Sequence, residues 1–236
     1  MSENSESQPA ALSPSVGWNV VHLFLKAGPQ GGRAAQALEA IELAEKNSHQ
    51  VVAAAILGHK ADVCLLALGP DQRQLRLLQS GLQAAGLSVV DSYVSLTEVS
   101  EYAAGAPAEM KTARLYPVLP PAGLPAFCFY PMSKRRAPGA ENWYALDYDK
   151  RLELMYGHGA VGRKFRGRVL QLVTGSTGVD DFEWGVTLFG AHPDDLKECV
   201  YQMRFDEASA LYAEFGRFYT GFVGDAESVF ADAGLR

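Results

Sequence analysis

Twice along its length the chain runs through one order of patterns: strand, helix, strand, strand, helix, strand. This doubling constrains the fold more than any single motif does. In the first pass, "WNVVHLFLK" (18–26) reads as a strand. "RAAQALEAIELAEK" follows Gly31 and Gly32 as a helix, with Leu38, Ile41 and Glu45 at helical spacing. "VVAAAILG" and "ADVCLLALG" are apolar runs broken at Gly58 and His59, most simply a hairpin. Asp71 caps a second helix whose apolar stripe is Leu75, Leu78 and Leu82; Gly86 ends it, and "SVVDSYVSL" is the closing strand.

After a Pro/Gly-rich connector, "LYPVLPPAGLP" (115–125), the order returns. "AFCFYPMSK" is a strand, and Asp147 caps a helix through about Tyr156, with Tyr148, Leu152 and Met155 on one side. "RVLQLVTG" and "FEWGVTLFG" are strands separated by "STGVDD". Pro193 opens a helix with Leu196, Cys199, Val200 and Met203 aligned at i, i+3, i+4, i+7, and "GRFYTGFVG" closes the set. The expected fold is α+β: two tandem ferredoxin-like (βαββαβ) repeats packed sheet to sheet as one dimeric α+β barrel-like subunit. The expected divisions are a disordered tail at 1–16, a structural first half at 17–105, a connector at 106–124 and a ligand-binding second half at 125–236.

Composition narrows the function. Of 236 residues, 48% are apolar and 20% charged, as in a soluble protein with a sizeable core. A net charge of −6 argues against a general nucleic-acid binder. Cys64, Cys128 and Cys199 have neither zinc spacing nor an even disulfide framework, so buried thiols in a reducing compartment are expected. The Ser/Pro-rich start lacks the basic and apolar regions of a signal peptide. No apolar run approaches the roughly 20 residues of a membrane span. A soluble, cytoplasmic protein is expected.

The chemistry gathers in the second half. In "CFYPMSKRR" (128–136), strand alternation puts Cys128, Tyr130, Met132 and Lys134 on one face and Phe129 and Pro131 on the other. A buried face would be apolar throughout, and a wet one would not favour Cys and Met. The mixture suits the wall of a cavity for something both large and charged. His158 reads as lying just past the end of a helix, between Gly157 and Gly159. It is either a cap or dipole partner of that helix, or a ligand whose flanking glycines let a flat group approach. No other His stands at ligand spacing to it, so a single-His haem site fits better than zinc. Gln171 sits among Val169 and Val173 on an otherwise apolar strand face, where a buried amide needs partners: backbone or ligand. The cations cluster at 134–136 and 163–168, with Arg114 and Arg204 besides. They are a solvated face, an RNA site, or partners for an anionic small molecule such as a porphyrin carrying several carboxylates.

Together "YPMSKRR", "NWY", "HGAVGRKFRGRVLQLVTGSTGVDDFEWGVTLF" and "YQMRFDEASALYAEFG" closely resemble the coproheme decarboxylases of the chlorite dismutase-like superfamily. The likeness covers roughly residues 110–222, and the first half more weakly, by element order. The resemblance implies a homopentameric ring and transient contact with a preceding ferrochelatase, while net charge and hydropathy give the expectation of neither nucleic acid nor membrane as partner. It implies conversion of iron coproporphyrin III (coproheme) to haem b through a monovinyl intermediate, with hydrogen peroxide oxidising two propionates to vinyls and the substrate serving as its own redox cofactor. By motif, His158 resembles the proximal iron ligand, and Tyr130 the tyrosine that becomes the oxidising radical beside the first propionate. Met132 and Lys134 resemble pocket residues at the reactive propionates, with Lys134 assisting catalysis; Arg114 and Ser209 resemble propionate partners, and Gln171 the distal residue over iron. The spacers "PAGLPA" and "RRAPGAEN" are longer than the usual pattern, and Ala145 stands where Met is commoner. Other readings remain. A chlorite dismutase would carry arginine where Gln171 stands. A haem carrier or sensor needs His158 but has no use for Tyr130. A peroxidase acting on external donors would find Gln171 a poor acid–base group.

Overall fold

Nearly every residue of the first strand is buried, on both of its faces, and this follows from where the strand lies. In the computed structural model, which describes residues 10–28, 31–139 and 141–236, β1 spans Asn19–Ala27. Its odd residues Val21, Leu23 and Leu25 pack under helices α1 (Ala34–Lys46) and α2 (Gln72–Ala84). Its even residues Val20 and Phe24 point the other way, into a second core. The hairpin strands β2 (Gln50–Ile56) and β3 (Val63–Gly69) divide likewise, Leu65 to one side and Leu66 to the other. Strands buried on both faces read as unbroken apolar runs.

The strand β4 (Leu87–Thr97) completes the first half. In α2 the stripe Leu75, Leu78 and Leu82 is buried, each side chain contributing about 1.5–3 kcal/mol. Asp71 caps that helix by accepting from Arg73 N, and Gly86 leaves it at φ +93°. The second half supplies β5 (Ala126–Lys134), α4 (Tyr148–Arg163), β6 (Val169–Gly175), β7 (Trp184–Gly190), α5 (Pro193–Met203) and β9 (Tyr219–Gly224). The expected element order thus stands in both halves. Elements that pattern did not signal are α3 (Ala108–Leu115) in the connector, the short α6 (Glu207–Ala210) and β8 (Ala213–Phe215), and α7 (Ala226–Asp232). The last returns Val229 and Phe230 to the core of the first half.

The sheet runs β7-β6-β4-β1-β3-β2-β9-β5, and β5 also pairs with β7, so eight strands close into a barrel while β8 extends β5. The halves meet at two seams, β2–β9 and β4–β6; the second has only Leu96↔Gly175 and Thr97↔Thr174 in register. Inside the barrel lie Phe24, Leu66, Phe127, Phe129 and Phe189. The sequence gives the first half no polar cluster, yet three of its side chains cross the interior. His22 Nε2 is 2.8 Å from Thr187 Oγ1, Ser95 Oγ donates to Thr174 Oγ1 at 2.8 Å, and the Tyr93 hydroxyl meets Ser176. Burial holds His22 neutral, its pKa lowered to about 3.

Residues 1–9 of the expected tail lie outside the described residues. Residues 10–16 are tied to the start of α2: Leu12 N donates to Asp71 Oδ1 (3.0 Å), and Arg73 Nε donates to Ala10 O (3.0 Å). The three cysteines are buried and unpaired, as expected. Among the described residues no helix is long and apolar enough to cross a membrane.

Candidate functional site

The outer face of the second half carries the expected residues in adjacent rows. Antiparallel register sets Gln171 opposite Leu188 and Leu188 opposite Cys128; the next row is Val173, Val186, Tyr130, and the next Gly175, Trp184, Met132. Residues paired across strands face the same side, so Tyr130, Met132 and Gln171 share one surface. Helix α5 covers the β5–β7 part through Leu196 and Val200. The β6 part is open, with Val173 40% exposed and Gln171 also exposed. This corrects the expectation of a buried amide: the alternation is right, but on that strand's outer face α5 reaches Val169 and does not extend over Gln171 to bury it.

Tyr130 is 6% exposed. Its ring stacks on Phe218 (centroids 4.5 Å, 23°) and meets Phe215 edge-on (5.6 Å, 72°). Burial pushes its phenol well above the ordinary range, and the neighbouring Cys128 and Cys199 thiols add to this. Met132 is half-buried beside it.

His158 lies inside a helix, which is a second correction. Asp147 caps α4 by accepting from Lys150 N (2.8 Å), and the helix runs through Gly157 and Gly159 to Arg163. Two interior glycines, each costing about 1 kcal/mol against Ala, made an earlier end at Tyr156 the natural reading. Leu154 packs with Trp143, Ala208 and Tyr212, and past Tyr156 the helix stays docked on α6 through His158 and on α5 at Gly162, where a Cβ would lie 3.5 Å from Met203 Cε. Leu154 is the one buried residue of this sixteen-residue helix.

On the other side of that packing, α6 holds the imidazole. His158 Nδ1 is 3.2 Å from Asp206 Oδ2 and 3.3 Å from Ser209 Oγ, while Asp206 Oδ1 accepts from Ser209 N (3.1 Å). Burial alone would raise the Asp206 carboxyl, but hydrogen bonds from His158 and Ser209 outweigh it and hold the group below the usual carboxylate range. Both contacts go to Nδ1, which leaves Nε2 as the nitrogen able to coordinate a metal. A histidine whose Nδ1–H is held by a carboxylate is oriented, and made more basic, for that purpose. Asp206 was missed by sequence reasoning. Its only sequence signal is "FDEAS", where Asp206 precedes a helical turn as a cap.

Lys134, at the end of β5, turns toward the same small helix. Its Nζ donates to Ala208 O (2.7 Å) and sits 4.4 Å from the centroid of the buried Trp143 ring. Burial lowers its pKa to about 8, against the opposing pull of Asp206 and Glu183. Ser209 therefore stands in the His158 cluster, and α6 supports both His158 and Lys134. Arg114 is exposed on α3. That helix ends at the β4–β6 seam, where Thr97 Oγ1 donates to Leu115 O (2.8 Å). Three cations of the basic runs are engaged in ion pairs: Arg135 with Glu141 and Glu214, Arg136 with Glu183, and Arg168 with Asp195 and Glu198. Among the described residues, no three or more His, Cys, Asp or Glu gather as a protein-only metal site.

The sequence model of the family described as chlorite dismutase matches residues 32–223. The chain belongs to the chlorite dismutase family. It is 44% identical over 186 residues to the coproheme decarboxylase of Staphylococcus carnosus (strain TM300), covering 74% of this chain and 73% of that protein. It is also 44% identical over 180 residues to the coproheme decarboxylase of Staphylococcus saprophyticus, covering 71% and 70%. Among solved structures, a heme-binding protein from Thermus thermophilus superposes at TM-score 0.82 with 35% identity, over 96% of this chain and 100% of that one. A mutant chlorite dismutase from Candidatus Nitrospira defluvii superposes at TM-score 0.75 with 18% identity, over 94% and 98%, a likeness of fold alone. The mixed fold with its large antiparallel sheet is the one these family structures share.

Proposed function

We propose that this protein is a cytoplasmic enzyme that decarboxylates two propionates of coproheme with hydrogen peroxide, giving haem b through a monovinyl intermediate. The observation that carries the reading is the outer face of β5. Tyr130 and Met132 lie on it, and at its end α6 braces both Lys134 and the His158 imidazole. The 44% identity to two coproheme decarboxylases supports the same reaction. Coproheme is substrate and redox group in one, and its iron supplies the activation of peroxide.

Each residue of the site has its own task. His158 holds the substrate through Nε2, with Asp206 and Ser209 fixing its ring. Nothing in the protein lies within 4 Å of where a Cβ at Gly157 would be, so that glycine answers no packing need and leaves room for a flat substrate. Tyr130, as a phenoxyl, takes a hydrogen atom from the β-carbon of a propionate beside it. The carbon radical left behind gives its remaining electron to the peroxide-oxidised substrate iron, carbon dioxide leaves, and a vinyl group remains. Each propionate consumes one peroxide and one proton and yields carbon dioxide and two waters. Lys134, poised near neutrality, serves as acid or electrostatic partner at that edge. Met132, Arg114 and Ser209 contact substrate, and Gln171 orders peroxide or water on the distal side. The assembly is a homopentamer, and a ferrochelatase hands over the substrate.

A chlorite dismutase is disfavoured by Gln171, whose amide cannot hold an oxyanion as arginine does. A haem carrier is disfavoured by the redox-competent Tyr130. Adding coproheme, titrating peroxide and weighing the porphyrins tests the proposal. Stepwise loss of two carboxyl groups is expected; bound but unaltered coproheme would overturn it.

A further inference from the structure

Tyr130 is not the only tyrosine at this point of the sheet. Register pairs Phe129 with Tyr219 across β5 and β9, so Tyr219 stands beside Tyr130 on the neighbouring strand, facing into the barrel. The residue before it, Phe218, stacks on the Tyr130 ring at 4.5 Å. The Tyr219 ring is 2% exposed and stacks on Phe24 (3.7 Å, 17°), and Phe24 in turn touches Phe129 (5.4 Å). Each route between the two tyrosines is thus aromatic stacking plus one step along the backbone: Tyr130 to Phe218 and on to its neighbour Tyr219, or Tyr219 to Phe24 to Phe129 and on to its neighbour Tyr130.

Their hydroxyls differ in surroundings. The Tyr219 hydroxyl donates to the Asp91 carboxylate, whose side chain is 38% exposed and also lies 3.7 Å from Arg217 Nη1. Tyr130 instead packs among Ala126, Cys128, Val186, Leu188 and Leu196. A phenol that loses an electron becomes a strong acid, so a base already bonded to it makes the oxidation easier. Tyr219 has that base, with water behind it.

We propose that Tyr219 is a second redox-active tyrosine, which takes the oxidising equivalent from Tyr130 when no propionate hydrogen meets it. This rests on the peroxide reaction proposed above. In the step, the Tyr130 phenoxyl and the Tyr219 phenol become the Tyr130 phenol and the Tyr219 phenoxyl. One electron passes from Tyr219 to Tyr130. The Tyr219 proton moves to Asp91 along the existing hydrogen bond. Tyr130 regains its proton from the water formed by reduction of hydrogen peroxide, which took that proton when peroxide, acting through the bound iron porphyrin, oxidised Tyr130. The arrangement moves a stranded oxidant away from the porphyrin edge to a site with an exit to solvent.

The test uses the full chain loaded with haem b, the product, in which no reactive propionate remains. Peroxide is added, samples are frozen for electron paramagnetic resonance, and peptides are mapped for oxidised tyrosine. The parent should show a tyrosyl radical and oxidation at Tyr219. Tyr219→Phe should lose that signal component and bleach the porphyrin several-fold faster. Asp91→Asn, which keeps the ring, should give a weaker signal and intermediate bleaching. An unoxidised Tyr219 in the parent, or unchanged radical and bleaching in both variants, would overturn the proposal. A parallel run with coproheme separates the two readings. Decarboxylation by the parent with Tyr219 silent sinks only the second tyrosine, whereas no decarboxylation at all sinks the reaction and this step with it.

Discussion

His158 on α4 and Asp206 at the head of α6 meet at 3.2 Å, Nδ1 against Oδ2. The carboxylate is almost buried and the imidazole only partly so, which makes Asp206 a fixed post and His158 the group that faces outward. Asp206→Asn keeps the α6 cap, since Asn caps as well as Asp, but removes the charge behind the imidazole. Coproheme affinity should fall by about tenfold, and the ferric/ferrous potential should rise because ferric iron loses its more basic ligand. Spectroelectrochemistry on the loaded variant checks this, and an unchanged potential would mean the pair is only structural.

Tyr130→Phe should still bind coproheme, at most about a hundredfold more weakly than the parent, and form no monovinyl product. The ring keeps its stack on Phe218 and its edge contact with Phe215. Losing one hydrogen bond to a carboxylate costs about 1.5–3 kcal/mol at most. Catalysis has no such reserve, since phenylalanine cannot form a phenoxyl radical. Haem b at parental yield would refute the radical role.

Lys134 links pH to stability. Its folded pKa of about 8 lies below the ordinary 10.5, so between these values the unfolded chain binds more protons. Stability contributed at this site therefore rises with pH through that window, and the cost of burying the ammonium is fully present below pH 8. That cost is on the order of 3 kcal/mol, offset in Lys134→Met by the Ala208 carbonyl left without its donor. Relative to the parent, Lys134→Met should thus be most favoured at pH 7 and lose ground by pH 10. A flat difference in melting temperature across that range would show the ammonium is not held at such a cost.

Gln171→Ala should leave stability within about 0.5 kcal/mol, as for an exposed position, and slow the reaction with peroxide only modestly. An amide orders a peroxide but shuttles protons poorly. Stopped-flow mixing with peroxide measures it. Complete inactivation with coproheme still bound would move Gln171 into the catalytic machinery.

Much of this was legible before any coordinates. The stripe Leu75, Leu78 and Leu82, the caps at Asp71 and Asp147 and the strand 126–134 are local signals, and each holds where the chain places it. Alternation alone put Tyr130 and Met132 on one face of their strand, and Gln171 beside Val169 and Val173 on one face of its own; the register of β5, β7 and β6 made those two faces one surface. Strand and helix periods, caps and turn glycines depend on a few consecutive residues, which is why they can be read in order. The pairings β5–β7, β2–β9 and β4–β6 that close the barrel join residues far apart in sequence, and no local pattern encodes them. The same is true of α4 continuing past Gly157, of Asp206 reaching His158, and of Lys134 turning to Ala208 and Trp143. Each depends on which surface packs against which, and burial, not propensity, settles the outcome: an exposed Gln171, a neutral His22, and a lysine poised near pH 8.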